Sequence, residues 1–254
     1  MDFATIIGML LAVAAIGGAY HLEGGQFGTI FLAAPMLIVI GGTLGATIIT
    51  TSMDTVRQVP GYLRRAMSGT NYRFTETIER IVRLAEKARR EGILGLENDL
   101  RREKDPFLRK ALQLVVDGTE VNTLRDILEI ESAYFAEREK KGIYFFRKAG
   151  GFSPTMGILG TVLGLVHTLS NTGDASRMAT AIAAAFIATL WGVGLANIFF
   201  LPVSDKLRLR LDEESAHLEL ITEGAVAIQS GENPRNIRRR LLSFIEPVQR
   251  KDPD

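Results

Sequence analysis

Hydrophobic and polar positions follow one another along this chain in long blocks. Four apolar stretches, at about 3–20, 27–51, 151–170 and 179–202, are nearly free of charge and long enough to cross a bilayer, which takes roughly 20 helical residues. A short polar segment separates the first stretch from the second, and another separates the third from the fourth, so the pattern predicts two helical hairpins. The first stretch has no Lys or Arg before it, and we therefore interpret it as a retained helix rather than a signal peptide.

The polar blocks carry apolar residues at helical spacing. One predicted helix begins near Phe74 and ends at Gly92. A second begins at Asp105-Pro106 and ends at Gly118, because an N-cap aspartate followed by proline is typical of a helix start. Three further helices are expected at about 122–148, 207–228 and 234–245.

The predicted fold class is therefore all-α, an integral membrane protein with four transmembrane helices in two hairpins and a helical cytosolic domain. No alternating strand pattern is present in the sequence. The expected domains are a transmembrane hairpin at 1–51, a cytosolic helical domain at 52–150, a second transmembrane hairpin at 151–202 and a cytosolic helical tail at 203–254.

Charge supports this division and orients it. The chain of 254 residues has 30 Lys+Arg and 29 Asp+Glu, yet the two predicted hairpins together contain only four of these 59 charges. Basic residues are dense beside the long loop and the tail, whereas the two short turns contain one Arg and no Lys. The positive-inside rule then predicts that the long loop, the tail and both termini are cytoplasmic.

Composition excludes several classes of function. The chain has no cysteine and three histidines, so we expect no disulfide, metal centre or cofactor. A net charge of +1 argues against nucleic acid as a partner. No nucleophile–base set or phosphate-binding loop is present, and we predict that the protein is not an enzyme.

The predicted spans contain stripes of small residues and two hydroxyls on those stripes, Thr161 and Thr189. Such stripes pack helices closely, and a membrane threonine can satisfy its hydroxyl against its own helix, so packing alone remains an alternative to a functional role. No Asp, Glu, Lys or Arg lies near the middle of any span, and His167 lies toward the outer end of the third. If the protein conducts ions, a partner helix must supply the titratable group.

Several segments, taken together and in this order, resemble the MotA/PomA family of bacterial flagellar stator proteins. The resemblance extends from Ile6 to about residue 247. It rests on Pro35 with GGTLGA (41–46), ARREGILGLE (88–97), SPTMGILGTVLGL (153–165), ATLWG (188–192) with Ala196, Asn197 and Pro202, and EGAVAIQSGENP (223–234).

The resemblance implies an architecture and a set of partners. Family members lie in the bacterial inner membrane, and about five copies surround a dimer of MotB-type chains whose single span carries the ion-binding aspartate. That aspartate would supply the carboxylate missing here. Ion flow past it would drive rotation and act on the rotor protein FliG.

The resemblance also implies roles for particular residues. Thr161 and Thr189 would line the ion path, and Pro154 and Pro202 would couple it to the cytosolic domain. Arg89 and Glu97 match the rotor-contacting charges, with Arg90 and Glu91 as neighbouring alternatives. The sodium-driven branch tends to carry another hydroxyl in the fourth span, and because Ala188 stands just before Thr189 we predict protons. Pro154 as a first-turn proline and Pro202 as the end of a span are the alternatives to coupling.

Two other functions fit part of the pattern. The ExbB/TolQ-type proton-channel subunits that energise the outer membrane have similar inner helices, but they have three spans. A membrane scaffold whose small residues only pack is the second alternative. Reporter fusions near residues 24 and 174 test the first, and proton leak with a partner chain tests the second.

Overall fold

The computed structural model describes residues 3–69, 72–169 and 175–246, and this part of the chain is helical with no β-strand. The all-α prediction is confirmed. The α-helices of the described residues are α1 (Phe3–Leu22), α2 (Ala33–Ile49), α3 (Met53–Met67), α4 (Phe74–Glu91), α5 (Glu97–Arg102), α6 (Pro106–Val116), α7 (Val121–Leu169), α8 (Ala175–Gly194), α9 (Leu201–Gln229) and α10 (Pro234–Leu241). Short 3₁₀ turns cover Phe27–Thr29, Ile93–Leu96 and Leu242–Phe244.

The chain forms two compact units. The first comprises residues 1–69 and 139–209, and the second comprises 70–138 and 210–254. The predicted membrane boundaries at 51, 151 and 202 all fall inside the first unit, because packing between helices continues past the ends of the apolar segments. The predicted domain boundaries stay predictions.

The first unit exposes many large apolar side chains on its surface. α1 has no buried residue, and Leu10, Leu11 and Ile16 each expose more than half of their surface. Helices α1 and α7 and the helical segment from Met178 to Gln229 are long and apolar enough to cross a membrane, whereas α2 has only 17 residues. A continuous apolar exterior of this kind marks a membrane-embedded protein.

The helix in the second apolar stretch is shorter than the predicted span over 27–51, which itself stays a prediction. A 3₁₀ turn covers Phe27–Thr29, and α2 begins only at Ala33. Pro35 then lies in the first turn, where its missing N–H leaves no hydrogen bond unmade. At the other end, Lys148 Nζ donates to the Thr50 carbonyl oxygen at 3.0 Å, which satisfies an acceptor at the end of α2.

Two stretches of the membrane unit are π-helical, Leu37–Gly41 within α2 and Leu195–Phe200 between α8 and α9. Each lies within a few residues of a proline, Pro35 in the first case and Pro202 in the second. Single π-helical turns are rare and frequently occur at functional positions, because they widen the helix and free a carbonyl from its usual partner.

The second unit has a dense apolar core that draws on α4, α6, α7, α9 and α10. Ile81, Leu112, Leu124, Ile221 and Ile237 are among its fully buried members. The helix ends are specified locally: Asp105 Oδ1 accepts from the Phe107 backbone N–H at 2.9 Å, and Gly92 and Gly118 have φ values of 78° and 72°. The predicted helices that begin near Phe74 and at Pro106 are confirmed.

The structure corrects one alternative for the prolines, because Pro154 lies inside α7 rather than in its first turn. Helix continues after Pro202 to Gln229, and the alternative that Pro202 ends a membrane span stays a prediction. The predicted turn between the third and fourth spans, at residues 171–178, lies largely outside the described residues.

Candidate functional site

Thr161 of α7 and Thr189 of α8 face each other, with their Oγ1 atoms 2.5 Å apart. Thr161 Oγ1 also lies 2.9 Å from the Ala185 carbonyl oxygen of α8 and 3.1 Å from the Gly157 carbonyl oxygen of its own helix. Both threonines are half-buried. Two hydroxyls and two carbonyls therefore form a small polar cluster on otherwise apolar helices, and it can exchange hydrogen bonds with a further polar group.

Two glycines let α7 and α8 approach closely enough for this contact. A Cβ atom on Gly157 would lie 2.9 Å from the Ala188 carbonyl oxygen, and a Cβ on Gly192 would lie 2.9 Å from Gly157 Cα. These neighbours are backbone atoms that cannot move aside. The small residues are therefore needed for the close approach of the two backbones. Such packing is usual between membrane helices, because lipid provides no hydrophobic driving force for their association.

Ala188 belongs to the same interface. It is 1% exposed, and a Cβ atom on Gly160 would lie 2.7 Å from the Ala188 methyl group. A serine at position 188 would therefore place its hydroxyl between the two helices, close to Gly160. The role of Ala188 in ion selection stays a prediction.

Sequence reasoning missed two polar side chains that tie the elements of this site together. Ser153 Oγ donates to the Gly192 carbonyl oxygen at 2.8 Å, and Trp191 Nε1 donates to the Ile30 carbonyl oxygen at 2.7 Å. Both acceptor residues are far in sequence from their donors, so no local sequence pattern predicts either bond. The only available signals are a serine within a small-residue run and the chain's single tryptophan inside an apolar span.

A groove of about 590 Å³ in the same unit is lined by parts of α2, α7 and α8, including Pro35, Gly160, Gly164 and His167. Its walls are mainly small and apolar, and His167 is the one titratable side chain among its lining residues. The groove therefore offers no carboxylate that could carry a proton at membrane depth.

The candidate contact charges lie in the second unit, where α4 ends and α5 begins. Lys87 Nζ binds Asp99 Oδ2 at 2.8 Å and lies 3.9 Å from Glu91 Oε2. The hydrogen bond with Asp99 raises the pKa of the Lys87 ammonium above its ordinary value. Glu91 and Asp99 are thus partly neutralised within the unit.

Arg89, Arg90 and Glu97 behave differently. All three are exposed, and within residues 72–138 and 210–246 none of them forms an ion pair. The structure therefore leaves Glu97 more available than Glu91 to a partner, while Arg89 and Arg90 are equally exposed. Their predicted contact with a rotor stays a prediction.

Comparison with known proteins gives the family. The model of the MotA/TolQ/ExbB proton channel family matches residues 99–220, and that of the Motility protein A N-terminal region matches residues 6–92. Motility protein A of Borreliella burgdorferi is 34% identical over 250 residues, covering 98% of this chain and 96% of that protein. Chemotaxis protein PomA of Vibrio alginolyticus is 35% identical over 253 residues, covering 98% of each.

A solved structure agrees with this likeness. The structure of C. jejuni MotAB matches with a TM-score of 0.92 at 30% identity, over 100% of this chain and 98% of that one. The family model and the MotAB structure identify the class as a membrane channel component rather than an enzyme. The chain belongs to the Motility protein A branch of the MotA/TolQ/ExbB proton channel family. The family resemblance predicted from the sequence is confirmed.

Proposed function

We propose that the protein is the stator subunit of a bacterial flagellar motor, which converts ion flow into torque on the rotor. The single observation that supports this most strongly is likeness along the whole chain to Motility protein A and to a MotAB complex. The N-terminal match over residues 6–92 favours this function over an ExbB/TolQ-type energiser. The Thr161–Thr189 contact supports an ion path that passes these two hydroxyls in the membrane unit.

The proposed assembly is a ring of about five copies around a dimer of MotB-type chains, each with an intramembrane aspartate. The absence of Asp, Glu, Lys and Arg from the middle of the spans supports a partner that brings the carboxylate. A charged carboxylate at membrane depth costs about 3 kcal/mol, and neutralisation by an ion removes that cost. Alternation between the two states would change its contacts with Thr161 and Thr189 and step the ring around the partner.

Protons are the proposed coupling ion. Ala188 contributes no side-chain oxygen beside Thr189, and a dehydrated sodium ion needs several oxygen ligands. Swimming should therefore follow the proton gradient and not external sodium at constant pH. Swimming speed that rises with sodium at constant pH would contradict this choice of ion.

The proposed location is the bacterial inner membrane, with four spans and with both termini in the cytoplasm. At about 1.5 Å per residue, the 17 residues of α2 extend about 26 Å, slightly less than the roughly 30 Å hydrocarbon core. A short span of this kind is accommodated when a bilayer thins or flanking residues adapt. The basic residues beside the loop and the tail support the orientation.

The proposed torque path leads from the membrane spans, through the helices that contain Pro154 and Pro202, to the exposed charges Arg89 and Glu97. These charges would pair with opposite charges on the rotor protein FliG. Their exposure and their lack of ion pairs among the described residues of the second unit support this role.

Charge reversal at Glu97 tests the rotor contact. Glu97→Lys should reduce swimming speed to about half or less, because like charges that meet at an interface cost several kcal/mol. The amount of protein in the membrane should not change, since Glu97 makes no ion pair among the described residues of its unit. Swimming is measured in a strain that lacks its own copy of the gene.

Glu79→Lys is the matched control, because Glu79 is an exposed carboxylate on α4 that takes no part in the proposed contact. It should swim at the speed of the unaltered protein. Unchanged swimming in the Glu97→Lys variant would contradict the assignment of Glu97.

A further inference from the structure

Like Ser204 of the same unit, Ser153 donates its hydroxyl hydrogen bond to a neighbouring helix rather than to its own. It is 0% exposed, and its Oγ donates across to the Gly192 carbonyl oxygen of α8 at 2.8 Å. Other hydroxyls of the membrane unit, on Thr47, Thr168 and Thr180, donate to the carbonyl four residues earlier in their own helices. Any helical serine can bond to this local acceptor. The bond from Ser153 to another helix therefore depends on how the two helices pair.

The Ser153–Gly192 hydrogen bond lies at one end of a row of contacts between α7 and α8. Ser153 meets Gly192, Gly157 meets Gly192 and Ala188, and Thr161 meets Ala185 and Thr189. Residue numbers rise along α7 while they fall along α8, so the two helices run antiparallel in one register. Between Gly157 and Gly192 the backbones touch directly, and the hydroxyls at positions 153 and 161 bond from α7 to α8.

The Ser153 hydrogen bond also lies close to the π-helical segment that follows α8. The Gly192 and Val193 carbonyls accept side-chain hydrogen bonds, from Ser153 Oγ and from Asn197 Nδ2 at 2.9 Å respectively. Both carbonyls lie just before the π-helical segment Leu195–Phe200. A helix that changes its hydrogen-bond pattern at this point gains support from these two side chains.

We propose that Ser153 is a positioning residue that fixes the register of α7 against α8 and thereby brings Thr161 and Thr189 together. Ser153 acts on the threonine pair through the helices and touches neither threonine. The consequence for ion flow rests on the proposed stator function, whereas the effect on the geometry does not.

Disulfide cross-linking measures this geometry without any ion flow. The chain has no cysteine, so the double substitution Thr161→Cys with Thr189→Cys creates the only two thiols, at positions whose side chains are in contact. Adding Ser153→Ala should slow oxidative cross-linking about threefold or more, the size expected for one interhelical hydrogen bond. The rate is measured on protein inserted in membranes and expressed per inserted molecule.

Two variants complete the test. Ser153→Thr retains a hydroxyl and should cross-link within about twofold of the parent pair. Thr155→Ala is the matched control, because the exposed Thr155 hydroxyl donates to the Phe152 carbonyl of its own helix at 2.7 Å. Cross-linking of Ser153→Ala at the parent rate, or equal slowing by Thr155→Ala, would overturn the proposal. If Ser153→Ala does not insert, Ser153→Thr decides, and slower cross-linking by it overturns the proposal.

Ion flux separates this inference from the stator function. With a MotB-type partner whose plug segment is deleted, the unaltered chain should leak protons, and Ser153→Ala should reduce the leak per inserted molecule about threefold or more. Absence of leak from the unaltered chain would contradict the stator proposal and leave the cross-linking result to decide on Ser153. Equal leak from the Ser153→Ala and unaltered chains would contradict the role of Ser153 in ion flow.

Discussion

At the scale of single residues, His217 illustrates how packing sets the protonation of a side chain. It is 5% exposed, its ring centroid lies 4.9 Å from that of Tyr72, and its Nε2 lies 3.0 Å from Thr77 Oγ1. Burial lowers the pKa of the imidazole below its ordinary value of 6.5, and the negative charge of Asp105 opposes this only in part. The folded second unit therefore favours the neutral ring.

This lowered pKa makes stability depend on pH. The unfolded chain binds the proton more readily, so the contribution of His217 to the free energy of unfolding is complete above about pH 6.5 and is lost as the pH falls toward the lower folded pKa. Between pH 7.5 and 5.5 the melting temperature of His217→Gln should fall less than that of the unaltered protein. Glutamine keeps a polar group near Thr77 but does not titrate. Thermal unfolding of the purified full chain measures the difference. An equal loss in both proteins would contradict the role of His217.

A second polar residue of this unit acts through charge pairing. Glu223 of α9 is largely buried, with Arg125 of α7 on one oxygen and Arg240 of α10 at 2.5 Å from the other. Arg240 also lies 3.2 Å from Glu232. A buried charge in this setting is tolerable because two arginines surround it, and it connects three helices of the second unit.

At the scale of elements, the glycines of α7 and α8 decide whether the membrane helices can pair. A Cβ at position 192 would lie 2.7 Å from the Ser153 carbonyl oxygen, which is backbone. Gly192→Ala should force the helices apart at a cost of about 1–3 kcal/mol and separate Thr161 from Thr189. We expect swimming speed to fall about tenfold or more in a strain that depends on this chain.

The same helix supplies a control for that substitution. Gly194, two residues further on, has no atom within 4 Å of a Cβ built on it. Gly194→Ala should therefore swim normally, and it changes helix propensity in the same direction as Gly192→Ala. Similar defects in both variants would show that loss of glycine itself, and not the close approach, is responsible.

Sequence patterns predict most elements of this fold and only part of the site. Apolar spacing and local signals such as Asp105, Gly92 and Gly118 give α4 and α6 closely, because each of these signals acts within one helical turn. The π-helical turns were not predicted, since they depend on how neighbouring helices pack. The bond from Ser153 to Gly192 joins residues 39 apart in the chain, so only the folded pairing of α7 and α8 reveals it.

At the scale of the whole molecule, the distribution of charge indicates that a partner supplies the titratable group of the ion path. The predicted spans contain almost none of the chain's charges, whereas the second unit exposes many of both signs. A pathway for protons needs a titratable group at depth, and the hydroxyls of Thr161 and Thr189 do not ionise at physiological pH. We therefore expect that the chain alone does not conduct protons.

Expression without a partner tests this division. The chain alone should leave the proton permeability of the membrane unchanged, because no carboxylate lies near the middle of a span. Co-expression with a MotB-type chain that lacks its plug should raise permeability, and replacement of the partner's intramembrane aspartate by asparagine should abolish the rise. Cytoplasmic pH after an external acid pulse is the measurement. Acidification by the chain alone would contradict a partner-supplied carboxylate.

Trp191 gives the membrane unit its own optical reporter. It is the chain's single tryptophan, its indole N–H is bonded to the Ile30 carbonyl, and its ring lies 5.4 Å from that of Phe31. Intrinsic fluorescence of the isolated chain excited at the red edge of protein absorption therefore comes from one place, where α8 meets the segment that leads into α2. Its emission wavelength and quenching would follow the movement of the first hairpin against the second without any added dye.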